Sequence, residues 1–319
     1  MLRYYMDDSD NLKKIIDQAE EAFDQGEWAE AVDLYTEAYS MQQSFRINKG
    51  LAASLLNQKR AGDAEAVILD YLNYYLSEPD TAELALDVAL ENNDFLLANQ
   101  MLNFYSFQKL PNITSDFINE LTKRILVAED RHERSFKPEK EQISKQLLSI
   151  VTKPTGVQIE LLRKLREFNK ADYVKNAKVL LANPLLHPLL KSETTENLMK
   201  LGVDEQMDIS FYGENKTCNP SKLMPIMSTD VYLKMCDELE KLLSDENDAQ
   251  MDNFKGELSL YAAFVYPFGN EIIKEPTLWT KAMLLRYGLL DESRISDSQG
   301  LSEVKTWLKR FDDLISTFQ

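Results

Sequence analysis

Three short segments of this chain repeat one another at a nearly constant spacing. Gln25-Gly26-Glu27-Trp28-Ala29-Glu30-Ala31, Arg60-Ala61-Gly62-Asp63-Ala64 and Asn93-Asp94-Phe95-Leu96-Leu97-Ala98 each stand between two stretches of helical hydrophobic period. Their closing alanines, Ala31, Ala64 and Ala98, are 33 and 34 residues apart. A large apolar residue follows each alanine four positions later: Tyr35, Ile68 and Leu102. A period of that length restricts the chain to stacked supersecondary units, because one helix pair cannot bury its own apolar face and neighbouring pairs must do it. The composition agrees. Only 10 Gly and 10 Pro occur in 319 residues, well under the usual shares of about 7% and 5%, which favours long uninterrupted helices.

Where two helices cross closely, a small side chain admits the neighbour and a large one fills the space beside it. On that pattern the chain resembles the tetratricopeptide repeat family, whose unit is a helix-turn-helix of about 34 residues. In the first unit, 12–45, the match rests on Ile15, Ala19, Ala31, Tyr35 and Ala38. In the second, 45–78, it rests on Leu51, Ala52, Leu55, Ala64 and Ile68, with a frame on Ala66 also open. The third, 79–111, keeps Ala98 and Leu102 but has Tyr105 where a small residue is usual. The prolines that close typical units are absent.

The resemblance implies a concave groove lined by the first helix of each unit. It assigns Lys13, Ile16, Glu20, Phe23 and Asp24 from the first unit, and Arg46, Lys49, Ala53, Leu56 and Asn57 from the second. The third contributes Asp80, Glu83, Asp87, Leu90 and Glu91. Such a groove has an apolar floor of Ile16, Phe23, Leu56 and Leu90, a basic step at Arg46 and Lys49, and an acidic end. The Lys and Asn pair with which some members grip a terminal carboxylate is not reproduced, since Ile16 and Glu20 occupy those positions. An extended or helical segment of a protein is the expected occupant.

Beyond 111 the period fades while helix patterns persist. Residues 112–193 read as a basic helical continuation of degenerate repeats, with one helix through Phe117, Leu121, Ile125 and Ala128 and another opened by Pro138. Residues 194–319 read as a divergent helical region. Within it Met207, Ile209 and Phe211 alternate with polar residues before a Gly-Glu-Asn turn, predicting a short β-hairpin near 205–220. Helices are expected at 228–244, 250–266, 277–290 and 301–317. The fold expected is all-α: a TPR-like αα superhelix, or solenoid, with a divergent helical C-terminal region containing a small hairpin.

Charge and motif content narrow the function. With 36 Lys and Arg against 53 Asp and Glu the net charge is −17, which opposes general attraction to nucleic acid and to anionic membranes. The charge is uneven, with 8 basic and 20 acidic residues in 1–111 against 15 and 9 in 120–191. The basic middle either folds against the acidic arms or faces an acidic partner. No two glycines lie closer than eleven residues apart, so no glycine-rich phosphate loop exists, and no GxSxG or HExxH occurs. The two histidines, His132 and His187, are isolated from Cys218 and Cys236, a pattern unlike zinc sites, and no cofactor or metal is expected. His187 in Leu-Leu-His-Pro-Leu-Leu reads as a helix-end or core residue. The Tyr71, Tyr74, Tyr75 cluster and the Met224, Met227, Met235 series read as core in preference to recognition surfaces. Without a secretory signal, a spanning apolar run or a disulfide framework, a cytoplasmic location is expected. The function expected is a non-catalytic adaptor or scaffold that binds a protein or peptide. The alternatives are a regulator whose basic middle meets an acidic protein or nucleic acid, and an enzyme with a site in the C-terminal region built on His187.

Overall fold

The computed structural model describes residues 2–243 and 248–317. These hold sixteen α-helices and one two-stranded antiparallel sheet, an all-α fold with a small hairpin. The chain divides into two compact units, one running to Lys140 and including Leu165–Lys170, the other comprising Glu141–Lys164 and the residues from Ala171 onward. Among the described residues no helix is long and apolar enough to cross a membrane.

The N-terminal unit is built from helix pairs: α1 (Leu2–Asp24) with α2 (Trp28–Met41), α3 (Phe45–Asn57) with α4 (Ala61–Leu69), then the single turn α5 (Leu72–Tyr75), and α6 (Pro79–Glu91) with α7 (Phe95–Phe107). Helix α8 (Ser115–Leu147) follows. Ala19, Ala31, Ala38, Ala52, Ala64, Ile68 and Ala98 have no exposed surface, and Tyr35 is 5% exposed. Leu102 packs half-buried against the same cluster. Ala66 is exposed, which fixes the second unit on Ala64. Gly50 on α3 is required by a close approach: a Cβ there would stand 2.3 Å from the Tyr35 ring. Tyr105 takes the place of a small residue by lying 5% exposed and donating its hydroxyl to the Leu76 carbonyl at 3.2 Å.

The turns inside the three pairs are built alike, and in a way the hydrophobic pattern does not display. Gly26, Lys59 and Asn93 all have positive φ, at 77°, 63° and 55°. Each donates its N–H three residues back, to Phe23, Leu56 and Leu90, while the next residue donates five back, to Ala22, Leu55 and Ala89. This is the Schellman ending, which satisfies the last carbonyls of a helix through one left-handed residue. Gly and Asn tolerate that conformation, whereas Lys59 bears a Cβ clash against its own backbone. Lys59→Gly is therefore expected to stabilise the unit by about 0.5 to 1 kcal/mol. The ion pair it removes, Lys59 to Glu91 at 3.5 Å, is exposed on both sides and contributes little. A raised urea midpoint checks this, and an unchanged or lowered one would show the turn to be unstrained.

Some expectations shift. The helix expected to begin at Pro138 does not begin there, because α8 runs from Ser115 to Leu147 with Pro138 inside it. The helix gives up one backbone hydrogen bond at the proline, while the neighbouring Phe136 buries to 4% and packs edge-on to Phe168 at 5.8 Å. The aromatic cluster divides: Tyr75 has no exposed surface, Tyr74 is 60% exposed and Tyr71 lies between.

The other unit contains α9 (Thr155–Leu165), α10 (Lys170–Ala182), α11 (Pro188–Lys200), strands β1 (Met207–Phe211) and β2 (Glu214–Cys218), α12 (Asp230–Leu242), α13 (Asp248–Val265), α14 (Gly269–Ile272), α15 (Pro276–Arg286) and α16 (Ser298–Thr317). Residue 244, where the α12 segment was expected to end, lies outside the described residues. Strand β1 pairs with β2 from Met207 opposite Cys218 to Phe211 opposite Glu214, and Met207, Ile209 and Phe211 are buried as the alternation implies. The turn sits at Tyr212-Gly213, both at positive φ, in place of the expected Gly-Glu-Asn, because a two-residue hairpin turn needs left-handed residues to match the strand twist. An aromatic core of Tyr261, Phe264, Trp279 and Phe311 joins α13, α15 and α16, with Phe264 stacked on Phe311 at 4.8 Å. Met235 is fully buried, while Met224 and Met227 are exposed. Both cysteines are free and buried.

Candidate functional site

The first helices of the three pairs bring part of the groove set into two separate hollows. One, of about 300 Å³, is lined by Phe23 on α1, Tyr35 on α2, Lys49, Gly50 and Ala53 on α3, and Asp80, Thr81 and Leu84 on α6. Burial and the neighbouring Glu20 push the Tyr35 phenol up to about 12, so it presents a neutral hydroxyl at physiological pH. The other, of about 630 Å³, is lined by Leu56, Asn57 and Lys59, by Asp87, Leu90 and Glu91 on α6, and by Glu120, Lys123, Arg124, Val127, Ala128 and Arg131 on α8. Its apolar patches come from Leu56, Leu90 and Val127, and the charges around them carry both signs.

Several groove residues lie elsewhere. Ile16 is 9% exposed and packs in the core, because α1 turns Ile15 and Ile16 inward together. Glu20 and Arg46 form an ion pair at 2.6 Å outside both hollows, so the basic step at Arg46 is neutralised by its neighbour, and the bond to Glu20 strengthens the guanidinium's hold on its proton. Lys13, Asp24 and Glu83 are exposed and line neither hollow.

The wall supplied by α8 was not anticipated. Glu120, Lys123, Val127 and Arg131 recur every three to four residues, with Arg124 beside Lys123, on a stripe next to the buried Leu121 and Ile125. Part of the basic segment folds against the acidic arms. Arg124 pairs with Asp87 across the hollow, while Lys123 and Arg131 line it with no ion pair among the described residues.

His187 caps α11. Its Nδ1 accepts the Leu189 N–H at 3.3 Å and its Nε2 lies 3.2 Å from the Leu314 carbonyl, placing the proton on Nε2. Burial lowers its basicity. Both ring nitrogens thus make hydrogen bonds to the backbone, in keeping with a helix-end role.

The chain is similar to the TPR repeat-containing protein YsoA of Bacillus subtilis (strain 168), with 21% identity over 288 residues that cover 85% of this chain and 81% of the relative. The similarity spans most of both chains, well beyond the three units of residues 12–111, and agrees with their TPR-like character. No family model matches the chain, and no solved structure does.

Proposed function

We propose that the chain is a non-catalytic protein-interaction module whose N-terminal unit holds a segment of a partner protein against α3, α6 and α8. The observation that carries this reading is the 630 Å³ hollow, which joins apolar Leu56, Leu90 and Val127 to Lys123 and Arg131, cations with no ion pair among the described residues. The TPR-like repeats and the similarity to a TPR repeat-containing protein support it. Apolar contact supplies affinity in such a site, and the charges around it fix the orientation and register of the bound segment. An extended or helical segment with apolar anchors and acidic flanks suits this lining.

Affinity capture from lysate tests the reading with the full chain, the variant Lys123→Glu with Arg131→Glu, and a charge-matched control, Lys234→Glu with Lys241→Glu on α12. A protein retained by the wild type and the control, but lost with the α8 variant, is expected. Equal capture by all three would place the binding surface elsewhere.

A further inference from the structure

A third cavity, within the C-terminal unit and of about 550 Å³, has a lining unlike that of the two hollows. Eighteen residues line it, and none is Asp or Glu, although the protein has 53 acidic residues and a net charge of −17. Two cations do line it. Lys191, on the second turn of α11, is 7% exposed. One of its three N–H donors is bonded to the Ser210 carbonyl of β1, and no carboxylate among the described residues lies in ion-pair range. Arg310 reaches the cavity from α16, its guanidinium 4.2 Å from the Tyr212 ring centre and 5.1 Å from that of Trp307. Stacking on rings leaves the guanidinium edge available for hydrogen bonds, and Arg310 also has no ion pair among the described residues.

A buried ammonium with a single neutral acceptor is costly to keep, since burial disfavours the charged form. The same burial pushes Lys191 down to about 8, so it remains largely protonated at neutral pH. Apolar side chains complete the wall: Phe264, Leu186, Leu314 and the buried ring of Phe211. A cavity of this size, with apolar walls and two cations in its lining, has the make-up of a small-molecule site.

We propose that this cavity is a binding site for a small organic carboxylate, an anionic head bonded to Lys191 and Arg310 with an apolar body against Phe211 and Phe264. The site is independent of the surface on α3, α6 and α8. The ligand supplies the negative charge that the protein omits here, and hydrogen bonds from a cation to a carboxylate are charge-assisted, the stronger kind. The apolar body distinguishes it from an inorganic anion, which would gain nothing from the rings.

The test is calorimetric titration of the full chain with octanoate, with 1-octanol as the neutral analogue of the same length, and with inorganic phosphate. Octanoate is expected to bind one to one, with octanol and phosphate each at least about tenfold weaker. Lys191→Met is expected to weaken octanoate by about tenfold or more, since a hydrogen bond to a charged group is worth that factor. Arg310→Gln, at an exposed position, is expected to weaken it in the same direction, with thermal melting checking that both variants remain folded. Octanol binding as tightly as octanoate would overturn the anionic head, and phosphate binding as tightly would overturn the apolar body. Octanoate affinity unchanged in both folded variants, or no octanoate binding at all, would overturn the site.

Discussion

Replacing Arg166 with Met is expected to cost the N-terminal unit about 3 to 5 kcal/mol, the usual loss when one partner of a buried ion pair is removed. Arg166 donates from Nε to Asp94 Oδ2 at 2.6 Å, and a second guanidinium nitrogen lies 3.8 Å from Glu65. Asp94 is 3% and Glu65 8% exposed, so the variant leaves two carboxyl groups in the interior without their cation. Asp94 also caps α7, accepting the Leu97 N–H at 2.8 Å, and the Leu96 N–H donates to the Arg166 backbone. The side-chain cluster therefore fixes the start of α7 and the short segment around Arg166 to each other. Asp94→Ala is expected to cost less, because Glu65 is placed to take over the guanidinium.

The cluster also sets a pH signature. Burial first, and the adjacent Asp94 second, push Glu65 up from the ordinary glutamate range to about 7. The folded state then holds a proton that the unfolded chain releases near its ordinary value of about 4.3. The stability this proton confers is fully present below that value and is lost as pH rises through 7. Native-state hydrogen exchange of α4 and α7 amides should show the Arg166→Met loss growing from pH 5 to pH 8, with Glu65→Gln flattening the trend. A loss under about 1 kcal/mol that is independent of pH would mean that the cluster is solvated and not an internal pair.

How much of this was legible in the sequence depends on the kind of interaction. The alanines at 31, 64 and 98 announced the repeat because helix crossings demand small residues at a fixed period, and period survives in a sequence. The hairpin was legible because Met207, Ile209 and Phe211 alternate. Arg166 lies 72 residues from Asp94, and nothing local in either segment marks them as partners. The α8 wall was missed for a related reason: Lys123 and Arg131 were visible as part of a basic run, but a run does not say which stripe of a helix turns toward a neighbour. Ile16 shows the converse error. Carrying it over as groove floor ignored that adjacent isoleucines on α1 both fall on the buried arc. The Lys191 cavity left no sequence signal, since its residues come from elements spread between Thr155 and Thr317, and its defining property, the lack of any acid, appears only once they are together.

A second large loss is expected from Asn48→Leu, about 2 to 4 kcal/mol, because two buried polar groups lose their partners at once. Helix α4 stops early: the Tyr71 N–H donates to Ile68, so the Val67 carbonyl has no helical donor four residues on. The Asn48 amide, with no exposed surface, supplies one at 2.7 Å. Its oxygen accepts the hydroxyl of the fully buried Tyr75 on α5 at 2.7 Å, and its nitrogen lies 3.3 Å from Tyr39 Oη. One side chain thus makes the break between α4 and α5 tolerable inside the core, where a continuous helix would have needed nothing. Leucine keeps the branching at Cγ but leaves the Val67 oxygen and the Tyr75 hydroxyl stranded. Adding Tyr75→Phe removes one of the stranded groups, so the double variant should recover about 1 kcal/mol relative to the sum of the two single losses, the coupling expected of residues in contact. Urea unfolding of the three variants reads this directly. Strictly additive losses would show that Asn48 and Tyr75 act separately, and a single-variant loss near zero would show that Asn48 does not hold the break.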